Sequence, residues 1–326
     1  MNYFIGCDLG GTNLRAAVVD VDTGTVINQL SISTMAREGH EAVMARMAGL
    51  FLQVIQETGL QKDAIGGIGI GVPGVLDLEK GETLFLPNLH GTWPHVPLSA
   101  RISQLMDLPT AILNDARSIT LGEWRFGAGK GSDTLAVFTL GTGIGGGLVV
   151  DGRLHMGKGG TAGELGHMPI DYNGPRCGCG NYGCLEVFAS GPAIRVMGIK
   201  AVAQGLTTQI GELCEYDLNR ITPKLIAQAA RAGDEIAQGI YNQAGFYLGV
   251  AASSICAVIA PQRIILSGGV SRAGSLLLEP MTRTMRERTH IMDVSQVEIV
   301  QGALGDNAGV LGASVWASLH TAGLPA

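Results

Sequence analysis

Positive charge is in short supply along this chain of 326 residues. Its 22 lysines and arginines are outnumbered by 28 aspartates and glutamates, which leaves a net charge of -6. Proteins that bind nucleic acids or anionic membrane surfaces usually neutralise phosphate groups with clustered cations. We therefore expect neither a nucleic acid nor a membrane as the partner of this protein.

An uninterrupted hydrophobic segment long enough to span a bilayer is also lacking. The most apolar stretch, residues 245–261, contains Ser253 and Ser254 and falls short of the roughly 20 apolar residues that a spanning helix needs. It predicts a buried helix instead. The N-terminus enters a strand-like run at Tyr3 without the charged and apolar regions of a secretion signal. We expect a cytoplasmic protein.

Cysteine is sparse, with six residues, but three of them fall between positions 177 and 184. Disulfides are rare in reducing compartments, so a cluster of this kind indicates a metal site. Together with His167, the thiols of Cys177, Cys179 and Cys184 supply the Cys₃His set of a closed tetrahedral zinc site. Four protein ligands leave no position for water, so the predicted zinc is structural. A redox dithiol and free buried thiols are the alternatives.

Apolar periodicity predicts two α/β units of similar design. The first half reads as strands at 3–7, 14–19 and 26–33, a helix at 41–57, and strands at 67–72 and 110–113. Enough chain for a crossover separates the last two strands, which are predicted to be parallel, so the order is β-β-β-α-β-α-β. The strand–glycine turn–strand opening recurs at residues 134–150. A helical region at 222–258, a buried strand at 263–266 and a terminal helix from about residue 308 follow. We predict two α/β units with a ligand cleft between them.

The first glycine loop is the run Asp8-Leu9-Gly10-Gly11-Thr12. Glycines let the backbone approach an anion and point N–H groups at it, and the Thr12 hydroxyl adds a donor. Asp8 suits a hydrated Mg²⁺ that bridges phosphates. A tight hairpin turn would explain the two glycines equally well.

The second glycine loop has Gly141, Gly143 and Gly146 at the spacing of a dinucleotide-binding fingerprint. That fingerprint requires a helix after the loop, whereas the β-branched pair Val149-Val150 follows here. The loop is therefore predicted to join two strands. Two such loops at matching places predict a nucleotide phosphate chain held between the units.

Asn114-Asp115 ends an apolar strand, at the edge where open α/β sheets bind ligands. Asp115 can there accept a hydroxyl proton during phosphoryl transfer. The alternative is that Asp115 is the N-cap of a helix that starts near Ala116. Glu164 and Glu186 flank the cysteine cluster and, with His167, suit recognition of a polyol, although isolated glutamates are usually solvated surface residues.

Over essentially the whole chain, these residues resemble the ROK family, which groups bacterial sugar kinases with sugar-responsive repressors. The resemblance is carried, in the expected order, by Asp8-Leu-Gly-Gly-Thr12, Asn114-Asp115, Gly141-Thr-Gly143, Glu164-Leu-Gly-His167, the three-cysteine loop and Glu186. It implies two actin-like, ribonuclease-H-like α/β domains with a ligand cleft between them and a small zinc-binding loop at 167–186. The implied domains are residues 1–115 and 116–306, with a C-terminal helix at about 307–326 that packs back on the first.

The resemblance also implies the roles of individual residues. Asp115 would deprotonate the 6-hydroxyl of a sugar. The sugar would be bound by Asn88, Asn114, Asp115, Glu164, His167 and Glu186. ATP would be held by Asp8, Gly10, Gly11, Thr12, Asn13, Gly141, Thr142, Gly143, Gly268 and Gly269. Many family kinases have lysine at the place of Asn13, so a cationic phosphate contact is missing here or is supplied by Arg15, on the same face of the strand.

The activity so implied is ATP- and Mg²⁺-dependent phosphorylation of a free hexose. Glucose is the first choice, because Pro87-Asn88-Leu89 and Trp93-Pro94 are similar to the family's glucokinases. Mannose, fructose, N-acetylmannosamine and N-acetylglucosamine remain open, since pocket volume cannot be read from sequence. Family members are often dimers or tetramers, so we also expect a homo-oligomer.

Two other classes of function compete with the kinase. Family repressors carry a helix-turn-helix domain ahead of the kinase-like part, and only Met1 and Asn2 precede the first strand-like run here. The second competitor is an actin-like ATPase switch that does not turn over sugar. The set of Glu164, His167 and Glu186 argues against it, because a pure switch needs no polyol pocket.

Overall fold

The computed structural model describes residues 2–87 and 89–324, and the chain divides into two compact units. Unit 1 comprises residues 1–133, 147–163 and 303–326, and unit 2 comprises residues 134–146 and 164–302. The strands are β1 Tyr3–Leu9, β2 Asn13–Asp20, β3 Thr25–Ser33, β4 Ile65–Val72, β5 Val75–Asp77, β6 Glu82–Phe85, β7 Thr110–Asn114, β8 Leu135–Leu140, β9 Ile144–Val150, β10 Arg153–Leu154, β11 Arg263–Ser267 and β12 Glu298–Gln301. The α-helices are α1 His40–Thr58, α2 Leu98–Met106, α3 Asp115–Phe126, α4 Glu186–Ala189, α5 Gly191–Ala203, α6 Gln209–Leu213, α7 Pro223–Arg231, α8 Glu235–Ile259, α9 Ser275–Arg288 and α10 Ala308–Thr321.

Unit 1 is built on a five-stranded sheet with the order β3-β2-β1-β4-β7. The first three strands form an antiparallel meander, and β1, β4 and β7 run parallel. One face of the sheet is covered by α1 and α2, which bury apolar side chains such as Ile5, Ile70, Phe51 and Ile102 in one core. The predicted order β-β-β-α-β-α-β is confirmed, with one short hairpin, β5–β6, that the sequence did not predict.

Helix α10 covers the other face of this sheet. Side chains alternate between the two faces of a strand, which places Gly6 of β1 and Gly69 of β4 on the α10 side. A Cβ on Gly6 would overlap the carbonyl oxygen of Val310, and one on Gly69 would overlap that of Ala313. The two glycines therefore let the helix backbone lie directly on the sheet.

The second sheet repeats the design of the first, with the order β10-β9-β8-β11-β12. Strands β8, β11 and β12 are parallel and in continuous register. Strand β9 begins in unit 2 and ends in unit 1, because the chain passes from one unit to the other at Gly147. The predicted repetition of two α/β units is thus confirmed.

Helix α8 is long and apolar enough, by length and composition alone, to cross a membrane. It nevertheless packs along α9, with Leu248 fully buried. A Cβ on Gly249 would lie 2.5 Å from Cβ of Thr284, and one on Gly245 would overlap the Pro280 ring. Such close contact along one face is typical of a core helix. The buried helix predicted at 245–261 is confirmed, although it ends at Ile259.

The predicted domain limits at residues 115 and 306 remain a prediction. In the described structure, α3 and α10 both belong to the compact unit that contains β1. Helix α3 starts at Asp115 and packs along α10.

Candidate active site

The first glycine loop is a rigid hairpin turn between β1 and β2. The Gly10 N–H donates to the Asn13 carbonyl oxygen at 2.9 Å, and the fully buried Thr34 donates its hydroxyl to the Gly10 carbonyl oxygen at 2.6 Å. The Thr34 N–H donates to the Thr12 carbonyl oxygen at 2.8 Å. Within the described part of the chain, the N–H groups of Gly11 and Thr12 donate to no protein acceptor. The hairpin is therefore formed as predicted, and these two N–H groups are available to an anion.

Asp8 lies at the end of β1 beside the start of α10. A Cβ on Gly309 would be only 3.4 Å from Cγ of Asp8. Arg15, the register partner of Asp8 on β2, donates to the carbonyl oxygen of Asp306. Burial raises the pKa of Asp8, the Arg15 guanidinium lowers it, and Asp306 raises it, with a net upward shift. Because burial destabilises the ionised carboxylate of Asp8, this group is a candidate for binding a cation.

The raised pKa of Asp8 predicts that Asp8→Asn stabilises the protein in the absence of ligands. The stability that Asp8 contributes is fully present below its unfolded pKa of about 4 and is lost as the pH rises through the raised folded pKa. Thermal unfolding should therefore occur at a higher temperature in the variant than in the wild type at pH 7, and the gap should close toward pH 4.

Asp77→Asn is the control with the opposite sign. The backbone N–H of Lys80 is the main cause that lowers the pKa of Asp77, so the contribution of Asp77 is lost as the pH falls. That variant should unfold at a lower temperature than the wild type at pH 7. A lower unfolding temperature for Asp8→Asn at pH 7 would contradict the assignment of a buried, destabilised carboxylate.

Helix α3 begins at the carboxyl end of β7, and Asn114 is its N-cap. Asn114 Oδ1 accepts from the N–H groups of Ala116 at 3.0 Å and Arg117 at 3.3 Å, and Nδ2 donates to the Gly74 carbonyl oxygen at 3.1 Å. The interpretation of Asp115 as the N-cap was therefore wrong. Asn114 still has extended backbone angles, whereas Asp115 is the first helical residue, and its Oδ1 lies 2.8 Å from the N–H of Ala116.

Asp8 and Asp115 lie at the same edge of the first sheet. The parallel register aligns Asp8 with Gly71 of β4, and Gly71 with Leu113 of β7. Neighbouring strands are about 4.8 Å apart, so two inter-strand spacings place the backbones of Asp8 and Leu113 roughly 10 Å apart. Unit 1 thus brings the first glycine loop and the Asn114-Asp115 pair to one edge of its sheet.

The second glycine loop joins β8 to β9 without a helix, which confirms the predicted strand–turn–strand loop. The Gly141 N–H donates to the Gly143 carbonyl oxygen at 2.9 Å, and the Gly191 N–H at the start of α5 donates to the Gly141 carbonyl oxygen at 2.9 Å. Gly268 has a φ of 87°, and a Cβ there would lie 2.5 Å from the Leu140 carbonyl oxygen. The Gly268-Gly269 turn therefore lies beside the second glycine loop, at the ends of β8 and β11.

Ile144, at the end of this loop, contacts the segments that carry the residues predicted to bind sugar. Its N–H donates to Glu186 Oε2 at 2.9 Å, and a Cβ on Gly143 would overlap the same oxygen. Gly166 lies against the Ile144 carbonyl oxygen, with no room for a Cβ. His167 follows Gly166 and donates its N–H to the Glu164 carbonyl oxygen at 3.0 Å. Unit 2 thus brings the second glycine loop, the Glu164–His167 segment and Glu186 together.

The predicted metal ligands converge on one point. The donor atoms of His167, Cys177, Cys179 and Cys184 all lie within 4.8 Å of one another. The Sγ atoms of Cys179 and Cys184 are 3.7 Å apart, and Cys177 Sγ is 3.8 Å from His167 Nδ1. Zn–S bonds of about 2.3 Å in a tetrahedron give S–S edges of about 3.8 Å, so this donor set fits zinc.

Local backbone geometry explains how so short a loop surrounds an ion. Gly180 and Gly183 have φ values of 94° and 61°, in the left-handed region that suits glycine. The Cys177 N–H donates to the Asn181 carbonyl oxygen at 2.7 Å, which closes the turn. Cys177 and Cys184 are buried, and Cys179 is exposed.

Asn88, predicted to bind sugar, lies outside the described residues.

The structure also shows a feature that the sequence did not predict. Two charged residues of α3, Arg117 and Glu123, are buried. Arg117 donates from Nε and Nη2 to the Ala162 carbonyl oxygen, at 3.0 and 2.7 Å. Helical periodicity reports apolar faces, so it gave no reason to place these charges inside the protein.

Comparisons with known proteins agree with this geometry. The model of the ROK family matches residues 4–319. The glucokinase of Thermotoga maritima is 36% identical over 313 residues, which cover 95% of each chain. A xylose repressor of Caldicellulosiruptor bescii is 33% identical over 94% of this chain and 76% of the repressor. The crystal structure of a ROK family glucokinase from Streptomyces griseus, in complex with glucose and AMPPNP, superimposes with a TM-score of 0.83 at 31% identity, covering 97% of this chain and 99% of that one. The chain therefore belongs to the ROK family, and its enzymatic class is that of a sugar kinase.

Proposed function

We propose that this kinase transfers the γ-phosphoryl group of ATP to the 6-hydroxyl of a free hexose, with glucose as the preferred sugar. The observation that carries the proposal is the convergence on Ile144 of the second glycine loop, the Glu164–His167 segment and Glu186. One small region then offers both backbone for phosphates and side chains for a polyol. The similar glucokinases of T. maritima and S. griseus, the latter solved with glucose and AMPPNP, support glucose.

Asp115 is the proposed general base. Its carboxylate would accept the 6-hydroxyl proton as the oxygen attacks the phosphoryl group in line. Asn114 caps α3 and also holds Gly74, so it fixes the backbone from which Asp115 projects. A base on a rigid element loses little freedom when substrate binds.

Asp8 and the two glycine loops are proposed to hold the nucleotide. The N–H groups of Gly11 and Thr12 would face one part of the phosphate chain, and the loop from Gly141 to Gly143 another. A bound Mg²⁺ supplies neutralisation of the phosphate charge, and the donor chemistry of Asp8 fits a hydrated ion of this kind. Arg15 is engaged with Asp306 at the start of α10, so we propose that it supports this corner in the absence of a lysine at position 13.

His167 can serve the metal and the sugar together. Its Nδ1 lies 3.8 Å from Cys177 Sγ, which leaves Nε2 on the other side of the ring. When Nδ1 binds a cation, the proton of the ring is on Nε2, and this nitrogen becomes a fixed donor for a sugar hydroxyl. We therefore propose that the zinc is structural and that it sets the orientation and tautomer of His167.

We place this enzyme in the cytoplasm, where ATP and free hexose meet, and expect a homo-oligomer as in many family members. A second candidate function is sugar sensing without turnover. It draws on the similarity to the C. bescii xylose repressor. The two candidates differ in one observable, which is product formation.

We expect purified protein with Mg-ATP to release ADP in a sugar-dependent way, fastest with glucose. The panel should contain glucose, mannose, fructose, N-acetylglucosamine and N-acetylmannosamine, and mass spectrometry should identify the hexose phosphate. Since the 6-hydroxyl is the proposed acceptor, 6-deoxyglucose is the matched control and should give no phosphorylated product. Equal ADP release with and without sugar would reject the kinase in favour of an ATPase switch, and sugar binding without any product would favour a sensor.

A further inference from the structure

Glu123 is a fully buried carboxylate on the inner side of α3. Its Oε2 accepts from the backbone N–H groups of Ala128 and Ala303, both at 3.0 Å, and its Oε1 accepts from the N–H of Leu304 at 3.1 Å. Hydrogen bonds to an ionised acceptor are stronger than neutral ones, and three of them offset the cost of burying the charge. No step of the proposed reaction uses this carboxylate.

The three donors come from two separate segments of chain. Ala128 follows α3 directly, whereas Ala303 and Leu304 are about 180 residues away in sequence and lead into α10. Gly127 leaves room for this carboxylate, because a Cβ there would overlap Oε2 of Glu123. The carboxylate therefore joins the segment that precedes α10 to the end of α3 by hydrogen bonds.

Helices α3 and α10 also touch along their length. A Cβ on Gly122 would overlap the carbonyl oxygen of Ala308, and one on Gly312 would overlap that of Ser118. The two helices begin at the two chemically important corners of unit 1: α3 at Asp115 and α10 beside Asp8. Their mutual position thus sets where the base stands relative to the corner predicted to hold the phosphates.

We propose that Glu123 is a positioning residue for the nucleotide. By holding the N–H groups of Ala303 and Leu304, it fixes the segment from Gly305 to Gly309 against Asp8, and it does so from the helix that presents Asp115. The inference rests on the proposed function, because it takes Asp8 and the start of α10 as part of the nucleotide site. Glu123 itself does not touch the substrate.

The test is Glu123→Gln, which keeps the shape of the side chain. A glutamine has one oxygen, so it cannot accept from all three N–H groups, and its amide nitrogen would face donors. Affinity for Mg-AMPPNP, measured by titration calorimetry, should fall at least about five-fold, whereas affinity for glucose should stay within about two-fold. Hydrogen exchange should speed up at the amides of Ala128, Ala303 and Leu304.

Ile55→Val is the matched control for a general loss of stability, since Ile55 is buried in α1 within the same unit but far in the chain from both helices. It should leave both affinities unchanged. If Glu123→Gln fails to fold, Gly127→Ala keeps the carboxylate but pushes a methyl group against it, and nucleotide affinity should fall in the same direction.

The outcomes separate the inference from the proposed function. A wild type that binds neither Mg-AMPPNP nor glucose would reject the proposed function. A wild type that binds both, with a variant whose exchange rises at residues 303 and 304 while its nucleotide affinity is unchanged, would reject the positioning role alone. An equal loss of affinity for nucleotide and sugar, or the same loss in Ile55→Val, would also reject it.

Discussion

Asp115→Asn is expected to lower kcat for hexose phosphorylation by about 100-fold or more, which is the usual contribution of a positioned general base. Asparagine keeps the shape of the side chain but cannot accept the hydroxyl proton. The helix should still form, because Asn114 provides the cap. Binding of glucose and of Mg-AMPPNP should therefore change far less than kcat.

Asp107→Asn is the matched control for this experiment. Asp107 is an exposed residue after α2 whose carboxylate lies 3.6 Å from Lys62 Nζ, a surface pair of small energetic value. The control should retain wild-type kcat. An Asp115→Asn enzyme that keeps more than about a tenth of the wild-type kcat would show that another group takes the proton, and the assignment of the base would fail.

The second large effect is expected for Cys184→Ser. Serine is a poor zinc ligand, so metal content measured by mass spectrometry should fall from about one zinc per chain to a small fraction. Glu186 begins α4 two residues after Cys184 and accepts from Ile144, and His167 is itself a ligand. Loss of the metal should therefore loosen two proposed sugar contacts at once and lower kcat/KM for glucose by about 10- to 100-fold.

Cys256→Ser separates loss of the metal from the cost of placing a hydroxyl in a buried thiol position. Cys256 is buried in α8 of the same unit and is remote in sequence from the loop. Its substitution should lower the unfolding temperature but leave zinc content and KM for glucose unchanged. A Cys184→Ser protein with full zinc content, or a wild type purified without zinc under metal-replete conditions, would contradict the structural zinc site.

Much of the fold could be predicted because the sequence patterns that indicate it are formed by residues close together in the chain. The β-branched pair Val149-Val150 decided that the second glycine loop joins two strands, and the structure confirms it. The three closely spaced cysteines with His167 likewise predicted a cluster whose donor atoms do lie within 4.8 Å. In both cases a few neighbouring residues carried all the necessary information.

The features that escaped prediction depend on residues distant in sequence or on small differences in backbone angle. Strands β5 and β6 are three and four residues long, too short for an alternating pattern. The choice between Asn114 and Asp115 as N-cap turned on which residue first adopts helical angles. Glu123 is buried against the N–H groups of Ala303 and Leu304, about 180 residues away in sequence. The residues near Glu123 in the sequence give no indication of these contacts.

The close seating of α10 on Gly6 and Gly69 has a consequence for biosynthesis. The first strand leaves the ribosome near the beginning of translation, yet the helix that covers one face of it is encoded in the last twentieth or so of the chain. Contacts between such distant segments are slow to form, and an uncovered sheet face invites aggregation. One face of the first sheet must therefore stay exposed to solvent until the second unit and α10 have been synthesised. A premature stop codon just ahead of residue 308 should accordingly yield an insoluble product instead of a shortened enzyme.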